Sequence, residues 1–138
     1  MLVNNSGQTK LADFGLARFV PKKKPLTRRV VTLWYRAPEL ILGESSYSKA
    51  IDMWSAGCLL YELVTNGDNL FNGRDEITTI VKIYELCGPV TEENISGCGK
   101  LPNWEHFQPS TKEKKGVKFA RCLREHLEKK RREGFHLL

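Results

Sequence analysis

Leu11-Ala12-Asp13-Phe14-Gly15-Leu16-Ala17-Arg18 and, further on, Val30-Val31-Thr32-Leu33-Trp34-Tyr35-Arg36-Ala37-Pro38-Glu39 bracket the part of this 138-residue sequence that decides its fold. Just before them, Leu2-Val3 and Thr9-Lys10-Leu11 flank the polar, glycine-containing Asn5-Ser6-Gly7, a pattern that predicts two short strands joined by a tight turn. Asp13 then stands at a strand end. A carboxylate there can bind a hard cation, which favours oxygen ligands; equally, it can cap a turn that Gly15 lets the chain complete. The Asp-Phe-Gly tripeptide alone does not decide between the two, because chance produces it often. From Asp13 to about Leu33 no hydrophobic period is sustained, and Pro21 and Pro25 sit among Lys22, Lys23, Lys24, Arg28 and Arg29. This predicts a long, exposed, functional loop.

Beyond the loop the sequence turns helical. Pro38 suits the first turn of a short helix through Leu42, with Gly43 as its stop. Ser48 is expected to cap a helix running to about Val64, ended by Asn66-Gly67. Its apolar residues (among them Ile51, Met53, Trp54, Cys58, Leu60, Tyr61 and Leu63) surround the helix and form no single stripe, so burial on most sides is expected. Asp75 can cap another helix, with Ile77, Ile80, Val81, Tyr84 and Cys87 at helical spacing and Gly88-Pro89 as its end. Residues 90–111 read as loop. Lys118 to Arg132 reads as a helix with Phe119, Cys122, Leu123 and Leu127 on one side. No internal repeat or low-complexity segment is present.

Composition bounds the class. Hydrophobic residues make up 41% and charged residues 28%, which is ordinary for a globular chain. No run of about 18 apolar residues exists to span a membrane, and Met1-Leu2-Val3-Asn4-Asn5 lacks the basic and apolar regions of a secretory signal. The expected location is intracellular. Cys58, Cys87, Cys98 and Cys122 form no C-x-x-C pair and no zinc-finger spacing, so they read as separate reduced thiols. The net charge of +6 is concentrated at residues 22–29 and 112–132. Such clusters can contact nucleic acid, acidic partners or the import machinery, although most are simply solvated surface.

Three ordered signals carry a family resemblance. Ala37-Pro38-Glu39 begins 24 residues after Asp13, and the intervening loop holds a threonine in a basic setting. Asp-Phe-Gly, a loop phosphorylation site and Ala-Pro-Glu, in that order, form the latter part of the protein-kinase signature. Asp52-Met53-Trp54-Ser55-Ala56-Gly57-Cys58 resembles the D-x-W-S-x-G segment of the central helix in kinase C-lobes. The two bracketing stretches, with Thr91-Glu92-Glu93-Asn94 after Leu86-Cys87-Gly88, resemble the cyclin-dependent kinases. Asn4-Asn5-Ser6-Gly7-Gln8 and the Leu-Cys-Gly step look most like their transcription-associated branch, which acts on the RNA polymerase II tail. The resemblance covers residues 1 to about 95 well and the basic tail loosely. It implies a mainly α fold: a partial protein-kinase C-lobe with a short β-hairpin at the N-terminus, an activation segment and several helices. Residues 1–138 would form one partial kinase domain, from the Asp-Phe-Gly motif to the helix G region, with a basic tail over 112–138.

The resemblance also implies roles by position. Asp13 would hold the Mg2+ that bridges the phosphates of ATP. Leu2 and Ala12 match residues lining the adenine pocket, with plain core packing as the alternative. Thr27 stands where the family carries its activating phosphothreonine, with mere exposure in a basic loop as the alternative, and Arg18 matches one of the arginines that would bind that phosphate. Val31 and Arg36 match the pocket that makes these enzymes proline-directed: the arginine occupies a backbone carbonyl, and proline, having no N–H, loses nothing there. Thr32 and Asp52 match residues that steady the catalytic loop, and Glu39 matches one that pairs with an arginine further along.

The H-R-D-x-x-x-x-N loop, the Gly-rich loop, the V-A-I-K lysine and the αC glutamate are not found in the sequence, and the metal-binding asparagine would stand immediately before Met1. Two readings follow. One is part of an active, ATP-dependent serine/threonine kinase of the cyclin-dependent type, nuclear and cyclin-bound, acting on Ser/Thr-Pro sites such as those of the RNA polymerase II tail; this chain alone would then be inactive. The other is a truncated, non-catalytic binding or regulatory fragment. A third, weaker reading gives the basic tail a role in nuclear import or nucleic-acid contact.

Overall fold

The computed structural model describes residues 1–17, 19, 31–107 and 121–132. It is mainly helical with one small sheet. Strands β1 (Leu2–Val3) and β2 (Thr9–Lys10) pair antiparallel, Leu2 opposite Lys10 and Val3 opposite Thr9. Their turn is built by Asn4, whose Oδ1 accepts from the Ser6 N–H at 3.1 Å and the Gln8 N–H at 2.8 Å. Gly7 supplies the positive φ of 77° that this turn requires.

Helix α1 (Pro38–Ile41) starts with proline in its first turn, where a missing N–H leaves nothing unpaired. Helix α2 (Ala50–Val64) begins two residues after Ser48, whose Oγ accepts from the Ala50 N–H at 3.2 Å. It stops where predicted: Asn66 and Gly67 both take positive φ, and the Gly67 N–H donates to the Glu62 carbonyl at 2.8 Å. Helix α3 (Glu76–Cys87) opens on a reciprocal cap. Asp75 Oδ1 accepts the Thr78 N–H at 2.7 Å, and Thr78 Oγ1 accepts the Asp75 N–H at 3.1 Å. Helices α4 (Trp104–Phe107) and α5 (Leu123–Arg132) follow.

The core forms around α3. Ile80, Ile83 and Tyr84 pack with Ile41 at the end of α1 and Leu42 just past it, with Phe71, and with Val90, Cys98 and Phe107. Trp54 of α2 stacks on Phe71 with ring centres 5.4 Å apart. A 3-10 turn at Leu33–Tyr35 is tied to α2 and to the segment just before α3. Tyr35 donates to Glu62 at 2.5 Å, Ser55 donates to the Tyr35 carbonyl at 2.8 Å, and the Trp34 indole donates to the Gly73 carbonyl at 2.9 Å.

The structure corrects four sequence expectations. Helix α2 is not buried on most sides: among its residues only Cys58 and Tyr61 are buried, while Met53, Leu60 and Leu63 are 74%, 61% and 57% exposed. The described elements cover one side of it and leave the other bare. Residues 90–107 are not wholly loop, since Cys98–Lys100 and α4 are helical turns. The first is fixed by Glu92, whose carboxylate accepts the Gly97 and Gly99 N–H groups at 2.7 and 3.0 Å. In the last helix, Arg121 and Cys122 stay outside, because the Cys122 N–H donates to the Leu86 carbonyl at 3.0 Å. Leu2 and Ala12 are exposed, so core packing does not explain them. Lys118 and Phe119 lie outside the described residues.

Candidate functional site

Arg36 is the centre of the best-defined polar cluster. Its side chain is only 12% exposed, beneath the turn that follows the loop. One guanidinium nitrogen, Nη1, meets Glu76 Oε1 at 2.8 Å, and the other, Nη2, donates to the Val31 carbonyl at 3.1 Å. Val31 has a φ of 70°, a left-handed backbone that costs a β-branched residue energy unless surrounding contacts hold it. The Arg36 bond supplies one such contact. Glu76 sits in the first turn of α3, where a carboxylate also complements the helix dipole. Arg36 Nε is buried with no hydrogen-bond partner among the described residues. An open groove of about 680 Å³ lies beside this cluster, lined by Leu33, Arg36, Glu76, Asn103, His106 and Phe107 among others.

The other residues singled out in the sequence are not gathered around this cluster. Thr32 is exposed, and its carbonyl accepts from the Tyr35 N–H at 3.0 Å. Glu39 on α1 is half-buried, and burial pushes its carboxyl above the ordinary range, with the nearby Glu44 charge adding to the effect. No cation pairs with Glu39 among the described residues. Asp52 is exposed in the first turn of α2. Asp13 is exposed at a φ of 63°, and its Oδ1 accepts the Gly15 N–H at 3.1 Å. That is the turn-capping geometry; it leaves Oδ2 without a hydrogen bond among the described residues. Leu2 on β1 and Ala12, two residues past β2, are both exposed. Thr27 and Arg18 lie outside the described residues.

Sequence reasoning missed Glu76. It lies 40 residues from Arg36 and its position is already accounted for by the helix start, so no local pattern marks the pairing.

The protein kinase domain model matches residues 1–134. The chain belongs to the protein kinase family. Within that family its likeness is to the cyclin-dependent kinases, on the side of those linked to transcription. Cyclin-dependent kinase C-1 of Oryza sativa subsp. japonica is 45% identical over 120 residues, covering 86% of this kinase chain and 23% of the relative. CTD kinase subunit alpha of Schizosaccharomyces pombe is 45% identical over 127 residues, covering 91% of the chain and 21% of the relative. Among solved structures, the yeast RNA Pol II CTD kinase CTDK-1 complex superposes with a TM-score of 0.80 at 35% identity, over 93% of this chain and 40% of that one. The CAK complex of Chaetomium thermophilum bound to ATP-gamma-S gives 0.68 at 41% identity, over 74% and 32%. This kinase chain thus spans about a quarter of the length of the curated relatives it matches.

Proposed function

We propose that the chain is the substrate-facing part of a cyclin-dependent-type kinase that transfers the γ-phosphate of ATP to serine or threonine followed by proline. The observation that carries this is the Arg36 bond to the Val31 carbonyl at 3.1 Å. With that carbonyl engaged, a substrate residue whose N–H pointed there would be left unpaired, a penalty of about 1–3 kcal/mol. Proline has no N–H and avoids the penalty. Val31's left-handed backbone and the Glu76 anchor on the other side of Arg36 support the same reading, because together they fix the carbonyl's direction.

The remaining roles are proposals of the same kind. Asp13 would contribute one carboxylate to Mg2+, and its free oxygen suits that ion, which is held by one or two carboxylates together with substrate phosphates. Among the described residues no group of three acidic, histidine or cysteine side chains forms a metal site without nucleotide. The Mg2+–ATP pair would supply the transferable phosphoryl group. Leu2 and Ala12 would line the adenine, and phosphorylated Thr27 would bind Arg18. Asp52 and Thr32 would steady the catalytic loop. A cyclin partner, nuclear action and the RNA polymerase II tail as substrate fit the likeness to CTD kinases. The basic tail, whose Arg121, Arg124, Arg131 and Arg132 are exposed, could add a weak nucleic-acid contact. No described helix is long and apolar enough to cross a membrane.

The test is a comparison of Ser-Pro and Ser-Ala peptides with the complete kinase and its Arg36→Ala variant. The Pro preference is expected to fall about tenfold, the equivalent of roughly 1.4 kcal/mol. An unchanged ratio would remove the basis of the proposal. The 138 residues alone, lacking an H-R-D loop, are expected to show no turnover with ATP and Mg2+; phosphorylation that disappears on Asp13→Ala would contradict this.

A further inference from the structure

Cysteines from three parts of the chain meet where α5 joins the body. Cys87 is the last residue of α3, Cys122 immediately precedes α5, and Cys58 lies on α2. Cys122 caps two helices at once. Its carbonyl accepts the His126 N–H of α5 at 2.9 Å, while its N–H donates to the Leu86 carbonyl at 3.0 Å and its thiol to the Glu85 carbonyl at 3.2 Å. Two of the last carbonyls of α3, those of Glu85 and Leu86, are thereby satisfied by one cysteine. The chain direction agrees: a Cβ built on Gly88 would lie 3.7 Å from the Arg121 nitrogen, so residues 121–122 run alongside residues 86–88. Standard bond lengths and the Leu86–Cys122 hydrogen bond put the Cys87 and Cys122 Cα atoms about 5–7 Å apart, the span a disulfide bridges.

Both thiols are half-buried against the core, and the Cys122 thiol reaches the exposed Glu85 carbonyl. Burial raises the Cys87 thiol above its ordinary value, with Arg121 opposing and Cys122 adding to the shift, which places all three groups in one neighbourhood. Cys58 is 4% exposed and shielded from any reagent in solution.

We infer that Cys87 and Cys122 form a reversible redox pair that hydrogen peroxide closes into a disulfide, fixing the start of α5 to the end of α3. The Cys122 sulfur attacks a peroxide oxygen; the O–O bond breaks, leaving a sulfenic acid on Cys122 and releasing one water with the thiol proton. The Cys87 sulfur then attacks the sulfenyl sulfur. The S–S bond forms, the S–O bond breaks, and the second water leaves with the Cys87 proton. The two sulfurs give up two electrons in all, and the two peroxide oxygens take them. The bond replaces the Cys122 thiol's hydrogen bond to Glu85 and is broken again by thiol exchange, as suits a transient bridge in a reducing compartment.

The sequence makes the pair easy to read, because cleavage after glutamate puts each cysteine on its own peptide: Cys58 within 45–62, Cys87 within 86–92, Cys98 within 94–105 and Cys122 within 114–125. The complete kinase is treated with one equivalent of hydrogen peroxide, alkylated, digested without reductant and mapped by mass spectrometry, beside a urea-unfolded control. The expected result is a dominant 86–92/114–125 cross-link that dithiothreitol reverses and that Cys87→Ser or Cys122→Ser each abolish. A mixture of pairings matching the unfolded control, a dominant link through Cys58 or Cys98, or oxidation of Cys122 without any cross-link would each overturn the inference.

Discussion

Glu39 shows how a single residue can be at odds with the chain that carries it. Its carboxylate is half-buried, the Glu44 charge acts on it, and it forms no ion pair among the described residues. A carboxyl raised above its unfolded value favours the folded state only while protonated. Its contribution is full below the ordinary range near 4.5 and is lost as pH rises through the higher folded value. Glu39→Gln is therefore expected to raise the melting temperature of this chain at pH 7, with the gain shrinking toward pH 4. In the complete kinase, where an arginine is proposed to meet Glu39, the same change should destabilise by about 3–5 kcal/mol through the unpaired buried cation. Calorimetry of both proteins checks the opposite signs. Gly73 makes a second, independent case. A Cβ there would lie 2.5 Å from the Thr79 nitrogen and 2.7 Å from its Cα, and would also collide with Thr79 Oγ1. Thr79 is fully buried in α3 and cannot withdraw. Gly73→Ala should cost about 3 kcal/mol, read as a lower urea midpoint at unchanged slope.

At the scale of elements, two exposed carboxylates act as caps, and acid should undo both. Thr78's N–H and hydroxyl hold Asp75 below its ordinary 3.8, and the Gly99 and Gly97 N–H groups hold Glu92 below its ordinary 4.5. Groups lowered in this way stabilise the fold above their unfolded values, and the contribution disappears as pH falls through the lower folded ones. Thermal midpoints should therefore drop as pH falls below the ordinary carboxyl range, and Glu92→Gln should flatten that slope. An unchanged slope in the variant would mean that Glu92 does not hold the 92–99 segment. The same caps explain what the sequence revealed. The hairpin, α1, α2 and α3 were legible because their ends are written locally, by Gly7, Gly43, Asn66-Gly67, Asp75 and Gly88. The turn at Cys98–Lys100 was not, because it depends on a carboxylate several residues upstream. The start of α5 was not, because the Cys122 N–H bonds a carbonyl of α3 that no helical period encodes. Within the candidate site, Val31 and Arg36 were recognisable from motif position. Glu76 became visible only once α3 had been folded against the turn at Leu33–Tyr35.

For the molecule as a whole, the outward side of α2 determines how the isolated chain behaves. Met53, Leu60 and Leu63 lie at helical spacing and are 74%, 61% and 57% exposed, with Ala56 and Gly57 exposed between them. A large apolar side chain left in water forgoes about 1.5–3 kcal/mol, and three of them represent a sizeable part of the roughly 5–15 kcal/mol that stabilises an ordinary domain. The inward side does not compensate fully, since the Trp54 indole N–H is buried with no hydrogen-bond partner among the described residues. The 138-residue chain is therefore expected to associate or to melt over a broad range, with self-association rising with concentration and with added sulfate, which strengthens apolar contact. Replacing Met53 and Leu60 by lysine should suppress the light scattering while leaving helical circular dichroism unchanged, because neither side chain contributes to the buried core. In the complete kinase the same pair should instead lower stability, if the rest of the domain covers this face. A monomeric wild-type chain with a sharp, concentration-independent transition would show that the exposed stripe is tolerated and that the described core suffices alone.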